Sequence, residues 1–108
     1  MKIAIAGPYS APTAEQRQKN LDQMNEAAAQ VYAMSHIPVI GVNAALPVLE
    51  KSKAIIPYKL IMDISLAVVS DCDALLLLAE SPGANKERDL ILSQNKPVYY
   101  SLSEIPAH

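Results

Sequence analysis

The chain has one cysteine, two arginines, no tryptophan and no phenylalanine. Because a single cysteine has no partner, Cys72 cannot form an internal disulfide, and no second cysteine accompanies it as a metal ligand. We expect Cys72 to be a buried, unreactive thiol. A net charge of -2 and the shortage of arginine argue against a groove for nucleic acid. The composition therefore predicts no metal, no other cofactor and no nucleic-acid partner.

A long hydrophobic run is also missing. The uninterrupted apolar run Ala74 to Ala79 is too short to span a membrane, and Met1-Lys2 leads directly into a strand pattern without a signal peptide. We expect a cytoplasmic protein without a membrane partner. A length of 108 residues fits one domain over 1–108 with a single three-layer core.

The apolar run lies in the most informative part of the chain. Asp71 and Asp73 precede it, and a Ser81-Pro82-Gly83 turn follows it. Such a run is typical of a strand buried on both faces of a parallel sheet. The turn predicts a helix that starts near Asn85 and has Glu87 in its first turn. A strand, a glycine turn and a carboxylate on an opening helix form an arrangement that α/β folds use to bind small molecules.

Strands alternate with helices along the rest of the chain. Thr13 and Gln16 form a capping box, and Pro57 suits the first position of a helix. The predicted elements are a strand over 2–6, a helix over 13–35, a strand over 38–42, a short helix and loop within 44–56, a helix over 57–70, a strand over 74–79, a helix from 85 to about 95, a strand over 98–100 and a loose cap over 101–108. Leu60, Ile61, Ile64, Ala67 and Val68 are predicted to form the buried face of the 57–70 helix. This order predicts an α/β, three-layer Rossmann- or flavodoxin-like fold, with a parallel sheet of four or five strands flanked by helices.

In such a sheet, the turns that follow the strands meet at one edge. Gly7 to Ser10, Asn43 and Ser81 to Glu87 are therefore expected to share this edge. Asp71 and Asp73 precede the central strand and should lie about 20 Å away, at about 3.3 Å per residue. These two aspartates cannot belong to the same site.

Asp63 is expected at the ligand edge. It precedes Asp71 by eight residues, on a helix that runs antiparallel to the strand. At about 1.5 Å per residue it lies about 12 Å back toward that edge, where it should meet Glu87 with Tyr9 between them. A position in the first turn of a helix favours an ionised Glu87 by about 0.3 to 1 kcal/mol.

Three motifs follow one another along nearly the whole chain. They are Gly7-Pro8-Tyr9-Ser10, then Tyr58-x4-Asp63-x7-Asp71-Cys-Asp, then Ser81-x-Gly83-Ala84-x-x-Glu87. In order and spacing they resemble the nucleoside 2-deoxyribosyltransferase-like superfamily, and most nearly its small branch known as the domain-of-unknown-function 4406 family.

This resemblance implies a reaction and a role for three residues. Glu87 would attack the anomeric carbon, Asp63 would handle the proton of the departing base, and Tyr9 would orient the nucleophile and the sugar. The expected function is a hydrolase that cleaves the N-glycosidic bond of a (2-deoxy)nucleoside 5'-monophosphate, in a homodimer. The chain is shorter than the transferases, which makes a nucleoside deoxyribosyltransferase the alternative, beside a non-catalytic binder of a nucleotide-derived ligand.

The turns also supply the expected binding groups. Backbone N–H groups at a glycine turn before a helix suit a phosphate or a sugar hydroxyl, and Ser10 and Ser81 add hydroxyl donors. The predicted substrate-binding residues are Gly7, Pro8, Ser10, Asn43, Ser81, Gly83 and Ala84. Because few cations are expected there, the phosphate should depend on neutral donors.

Each catalytic candidate also has a structural interpretation. Glu87 could be an ordinary residue at a helix start, and Tyr9 a packing residue. Asp63 taken alone would more often be a solvated helix residue.

Overall fold

The computed structural model describes residues 1–107 and has a parallel four-stranded sheet with helices around it. The elements are β1 (Lys2–Ala6), α1 (Ala14–Ala33), β2 (Ile37–Val39), α2 (Gly41–Lys51), α3 (Pro57–Val69), β3 (Ala74–Leu77), α4 (Pro82–Ser93), β4 (Val98–Tyr99) and a 3-10 turn (Leu102–Glu104). The strand order is β2-β1-β3-β4, and every pairing is parallel. The predicted α/β three-layer fold is confirmed, with the smaller of the two predicted strand numbers. Within the described residues, no helix has the length and hydrophobicity needed to cross a membrane.

Alternating side chains of the central strands build two cores. On β1, Ile3 and Ile5 pack with α1, whereas Ala4 and Ala6 pack with α3 and α4. All four side chains are at most 1% exposed. A strand buried on both faces is what the apolar sequence predicts for a parallel sheet. The two small alanines leave room for α3 and α4 to lie close to the sheet.

The start of α1 follows the predicted capping residue. Thr13 Oγ1 accepts a hydrogen bond of 3.1 Å from the backbone N–H of Gln16. The side chain of Gln16 donates to Asn20 Oδ1 at 2.8 Å instead of turning back to Thr13, so half of the predicted capping box forms.

The second predicted strand is shorter than expected. The prediction placed it over Pro38 to Val42, but β2 ends at Val39 and α2 begins at Gly41. A Cβ on Gly41 would lie 2.9 Å from both Cα and Cβ of Ser65, so glycine allows the start of α2 to pack directly on α3. Ile40 and Val42 are buried in this packing, and a short apolar run cannot by itself separate a strand from a buried helix.

The buried face of α3 also differs from the prediction. Its buried residues are Met62, Ser65 and Val69, which follow one another at helical spacing. The predicted face was Leu60, Ile61, Ile64, Ala67 and Val68, of which Ala67 is exposed and the others are only partly buried. Apolar residues surround this helix, so its sequence does not determine which side faces the sheet.

The C-terminal segment is not the loose cap that was predicted. Ile105 is 4% exposed and belongs to the core on the α1 side of the sheet. His36, itself buried, donates from Nε2 to the carbonyl oxygen of Pro106 at 2.7 Å. One apolar anchor and one hydrogen bond thus fix the segment to the body of the protein.

The connections leave the sheet on opposite faces. α1 joins β1 to β2 on one face, and α4 joins β3 to β4 on the other. The carboxyl ends of the neighbouring strands β1 and β3 lie where these connections diverge. In open α/β sheets, this is the position at which a crevice for a ligand forms.

Candidate functional site

A cavity of about 560 Å³ opens at the carboxyl ends of β1 and β3. Its volume lies within the range of about 300 to 1,000 Å³ that is usual for small-molecule sites. The walls come from the turn after β1, the start of α4, the inner face of α3 and the segment between β2 and α2. Most of the lining is apolar, and beyond Glu87 the polar side chains are those of Tyr9, Ser10, Tyr58, Ser65, Ser81 and Lys86.

Most of the residues predicted for the site meet in this cavity. Those that line it are Gly7, Pro8, Tyr9, Ser10, Ser81, Gly83, Ala84 and Glu87. The other two predicted residues, Asp63 and Asn43, do not line it. The turns after β1 and β3 are thus brought together as expected, but α2 and α3 present other side chains to the cavity.

The start of α4 sets the position of Glu87. The helix begins at Pro82, and Ser81 is its N-cap, with Oγ accepting from the N–H of Ala84 at 3.1 Å. The predicted start near Asn85 is therefore three residues too late, and Glu87 lies in the second turn of the helix instead of the first. There it is 8% exposed.

Burial changes the ionisation of Glu87. Desolvation raises the pKa of this carboxyl group from 4.5 to about 7. Such a rise corresponds to about 3 kcal/mol at about 1.4 kcal/mol per pKa unit. The helix dipole would contribute about 0.3 to 1 kcal/mol in the opposite direction. Burial outweighs the dipole, so the expectation of a fully ionised carboxylate is corrected to one that titrates near neutral pH.

The two charged residues that follow Glu87 in sequence, Arg88 and Asp89, do not line the cavity. Arg88 pairs with Asp89, Nε to Oδ1 at 3.0 Å, and with Glu80, Nη1 to Oε1 at 3.1 Å. Asp89 and Glu80 are exposed. These three side chains form an ion-pair cluster outside the site.

Asp63 lies on the outer face of α3, contrary to the prediction that it meets Glu87. Its side chain is 61% exposed, and its Oδ2 lies 2.6 Å from Nζ of Lys59. Ser65, two residues later, is buried and lines the cavity, as Met62 does. Two residues correspond to roughly 200° of rotation at about 3.6 residues per turn, so Asp63 and Ser65 face opposite ways. The predicted position of Asp63 along the axis of α3 did not determine on which face of the helix its side chain lies.

Asn43 is also directed elsewhere. It lies in the first turn of α2, is exposed, and donates from Nδ2 to Asn25 Oδ1 at 2.9 Å. It joins α2 to α1 instead of reaching a ligand in the cavity.

The turn that bears Tyr9 is held by α1. The Tyr9 carbonyl accepts from Asn20 Nδ2 at 3.0 Å, and the Ala11 carbonyl accepts from Arg17 Nη1 at 2.8 Å. Tyr9 also packs against the core on the α1 side. The hydrogen bonds to the backbone of the turn and the packing of the side chain together fix the position of Tyr9 in the cavity wall.

Lys86 is a site residue that the sequence analysis missed. Its Nζ lies 4.9 Å from the centre of the Tyr58 ring, and both residues line the cavity. The site was expected to contain few cations and to rely on neutral donors, but Lys86 provides a cation in the cavity wall. The signal in the sequence was its position inside the Ser81 to Glu87 motif, directly before Glu87.

Ser65 is the second residue that was missed. It follows Tyr58 and Met62 at helical spacing, and all three line the cavity. Its Oγ is buried and has no hydrogen-bond partner among the described residues. A serine that continues a buried helical face was the available signal.

The first turn of α4 leaves one backbone donor for a ligand. The N–H of Ala84 bonds to Ser81 Oγ, and that of Asn85 bonds to the Ser81 carbonyl at 2.8 Å. Pro82 has no N–H, and that of Gly83 takes part in none of the hydrogen bonds between described residues. A Cβ at Gly83 would lie 3.2 Å from Met62 Sδ, so glycine keeps the gap between α4 and α3 open.

The described part of the chain has no group of three or more histidine, cysteine, aspartate or glutamate side chains that could hold a metal ion. Neither the models of known protein families nor the curated proteins give a match to this chain.

Proposed function

We propose that the protein is a hydrolase that cleaves the N-glycosidic bond of a (2-deoxy)nucleoside 5'-monophosphate, with Glu87 as the nucleophile. The main support is the burial of Glu87 in a largely apolar cavity at the ligand edge of the sheet, with Tyr9 in the same cavity. The resemblance of the three sequence motifs to the nucleoside 2-deoxyribosyltransferase-like superfamily supports the same chemistry.

The reaction needs two displacements at the anomeric carbon. Ionised Glu87 attacks this carbon, the C–N bond breaks with its electron pair going to the base, and the base takes a proton from water, which leaves a hydroxide ion. Water then hydrolyses the glycosyl ester, which releases the sugar 5'-phosphate and restores the carboxylate, and the proton set free neutralises the hydroxide. A carboxylate beside an oxocarbenium-like transition state stabilises it and can trap the sugar covalently.

The 5'-phosphate is assigned to the start of α4. Ser81 keeps its hydroxyl proton for a ligand while its oxygen caps the helix, and Gly83 offers its N–H. Lys86 supplies a positive charge at the same cavity, and Ser10 supplies a second hydroxyl. The phosphate was expected to depend on neutral donors alone. These residues instead provide both neutral donors and a charged one.

The direct test is the release of free base from a panel of nucleoside and deoxynucleoside 5'-monophosphates, followed by chromatography. Glu87→Gln should keep the fold and lower the rate by about a thousandfold or more, since it removes the charge that meets the oxocarbenium ion. Glu26→Gln, an exposed site on α1, is the matched control and should leave the rate unchanged. A normal rate in Glu87→Gln would remove Glu87 from the reaction.

The pH dependence tests the same assignment. Only ionised Glu87 is a nucleophile, and burial places its pKa at about 7. We expect kcat/KM, which reports the free enzyme, to rise between about pH 6 and pH 8 and then level off. A profile that is flat across this range would contradict the role of Glu87.

A non-catalytic binder of a nucleotide-derived ligand is the second candidate. It is favoured by the outward position of Asp63, because Glu87 is the one carboxylate among the described residues that line the cavity. No second carboxyl group is then beside it to protonate the base. A nucleotide that raises the melting temperature without any release of base would identify the binder.

A further inference from the structure

Ser65 combines near-complete burial with a hydroxyl that has no partner. The residue is 1% exposed and lines the cavity, and its Oγ makes no hydrogen bond to a described residue. A serine within a helix can bond to a carbonyl three or four residues earlier, which this one does not do. Buried polar groups are nearly always hydrogen-bonded, so an exception requires a reason. Two other buried oxygens lack partners, on Asn85 and Gln94, but neither residue lines the cavity.

Aliphatic residues line the part of the cavity next to Gly41. A Cβ on Gly41 would lie 2.9 Å from Cα and Cβ of Ser65, which places Ser65 against the start of α2. Ile40 and Val42, on either side of Gly41 in sequence, line the cavity, together with Ile5 from β1. Ser65 thus contributes a hydroxyl to a wall that also contains these aliphatic side chains.

The other end of the same wall is polar. Met62, one turn before Ser65, faces Gly83, and a Cβ there would contact its Sδ at 3.2 Å. Ser81 and Lys86 belong to this end, at the start of α4. The cavity therefore has one end suited to a phosphate and another suited to a flat, largely apolar ring.

We propose that Ser65 determines base specificity, by a hydrogen bond from its hydroxyl to a nitrogen or oxygen on the edge of the nucleobase. This inference rests on the proposed function. With the phosphate near Ser81 and Lys86 and the anomeric carbon at Glu87, the base occupies the aliphatic end. A hydroxyl both donates and accepts, and a site built around one such bond discriminates against analogues that lack the matching atom.

No hydrogen bond to a described residue holds the Ser65 hydroxyl in its present position. Turning Oγ toward a bound base by rotation about χ1 would therefore break no hydrogen bond. Binding of the base then satisfies a group that the unliganded protein leaves unsatisfied.

The test compares wild type, Ser65→Ala and Ser65→Cys with dAMP, dGMP, dCMP and TMP, using melting temperature and calorimetric titration. A second series uses purine deoxyriboside 5'-monophosphate, which lacks exocyclic groups, and a 2',3'-dideoxynucleotide, which lacks the 3'-hydroxyl. Ser93→Ala is the matched control, since its hydroxyl bonds to the Leu90 carbonyl at 2.6 Å and Ser93 does not line the cavity.

We expect Ser65→Ala to weaken the preferred monophosphate by about 10- to 100-fold and to abolish the preference among bases. The unliganded variant should melt roughly 4 °C or more above wild type, because an unsatisfied buried hydroxyl has been removed. Ser65→Cys nearly keeps the volume of the side chain and should also lose the preference. A merely structural serine would show no change in base preference.

Three results would overturn the proposal. Equal weakening of all four monophosphates would mean that Ser65 shapes the cavity without contacting the base. If Ser65→Ala kept the normal base preference but no longer distinguished a 2'-deoxynucleotide from its 2',3'-dideoxy analogue, Ser65 would contact the sugar instead of the base. If no monophosphate raised the wild-type melting temperature, both this proposal and the nucleotide-binding site beneath it would fall, whereas the first two results leave the proposed function intact.

Discussion

Glu87 on α4 and Asp63 on α3 belong to neighbouring helices that both line the cavity, yet their carboxyl groups have opposite environments. Glu87 is 8% exposed, and burial raises its pKa to about 7. The Asp63 side chain is 61% exposed and pairs with Lys59. The carboxyl group of Glu87 is buried in the site despite the free-energy cost of desolvation, whereas that of Asp63 is a solvated surface charge.

The difference shows that the environment of a side chain depends more on the helix face on which it lies than on its position along the helix axis. Asp63 is one residue after Met62 and two before Ser65, and both of these line the cavity. A rotation of roughly 100° per residue is enough to turn a side chain from the cavity to solvent. Glu87 instead continues the inward face of α4 that includes Ala84 and Ile91. A cavity can thus receive a buried acid from one wall and a neutral hydroxyl from the other.

The largest difference between Glu87 and Asp63 is expected in their contribution to stability at alkaline pH. Because the pKa of Glu87 is raised to about 7 in the folded state, its protonated form stabilises the fold fully below about pH 4.5, and this stability is lost as the pH rises through about 7. Glu87→Gln mimics the protonated acid and does not lose it. Its free energy of unfolding, relative to wild type, should increase by about 3 kcal/mol between pH 4 and pH 8.

Urea unfolding at these two pH values measures the change. Glu26→Gln, on the surface of α1, should show no such trend. A Glu87→Gln variant that is no more stable than wild type at pH 8 would mean that Glu87 is not desolvated in the folded protein.

The next effect concerns the two lysines beside these carboxyl groups. Lys86→Met should weaken a nucleoside 5'-monophosphate by about 10-fold, the lower end of what a hydrogen bond to a charged group contributes, because Lys86 is exposed. Lys59→Met should leave the affinity unchanged, since Lys59 pairs with Asp63 outside the cavity. Calorimetric titration of each variant with a monophosphate and with its parent nucleoside measures these changes in affinity. If Lys86→Met weakened both ligands equally, Lys86 would not contact the phosphate.

A smaller effect is expected at the N-cap of α4. Ser81→Ala should lower the free energy of unfolding by about 1 kcal/mol, as Thr13→Ala should at the matching cap of α1. Only the Ser81 variant should also weaken the monophosphate, because Thr13 lies outside the cavity. Ser81→Asn retains a cap and should recover the stability. If it also recovered full affinity for the monophosphate, the serine hydroxyl would have no specific part in holding the phosphate.

Much of the architecture followed from local signals in the sequence. Short apolar runs ended by glycine or proline turns predict the strand at Lys2–Ala6 and the strand that starts at Ala74, which ends at Leu77, two residues before the predicted end; Thr13 and Pro57 mark helix starts. Because the carboxyl ends of parallel strands share an edge, the meeting of the two turns was predictable as well.

The rest depends on long-range packing. The apolar residues of α3 surround the helix, so only its contacts with the sheet and α2 decide that Ser65 faces inward and Asp63 outward. The burial of Glu87 is likewise a result of packing that the local sequence around it does not encode, and the start of α4 packs against Met62 of α3 at Gly83. The pKa of Glu87 and the free hydroxyl of Ser65 are both consequences of that packing.

The smallest effect is predicted for Asp63→Asn, and it is the sharpest check of the comparison between the two helices. The Lys59–Asp63 pair spans one helical turn with side chains 70% and 61% exposed, so its loss should cost at most about 0.5 kcal/mol. Turnover should stay within about threefold of wild type, for substrates with poor and with activated leaving groups alike, because Asp63 does not line the cavity. The assay is release of base from a natural monophosphate and from an analogue with an activated leaving group. Loss confined to the natural substrate is the signature of a missing acid. It would place the carboxyl group of Asp63 beside the departing base during turnover and require α3 to rotate from the position seen here.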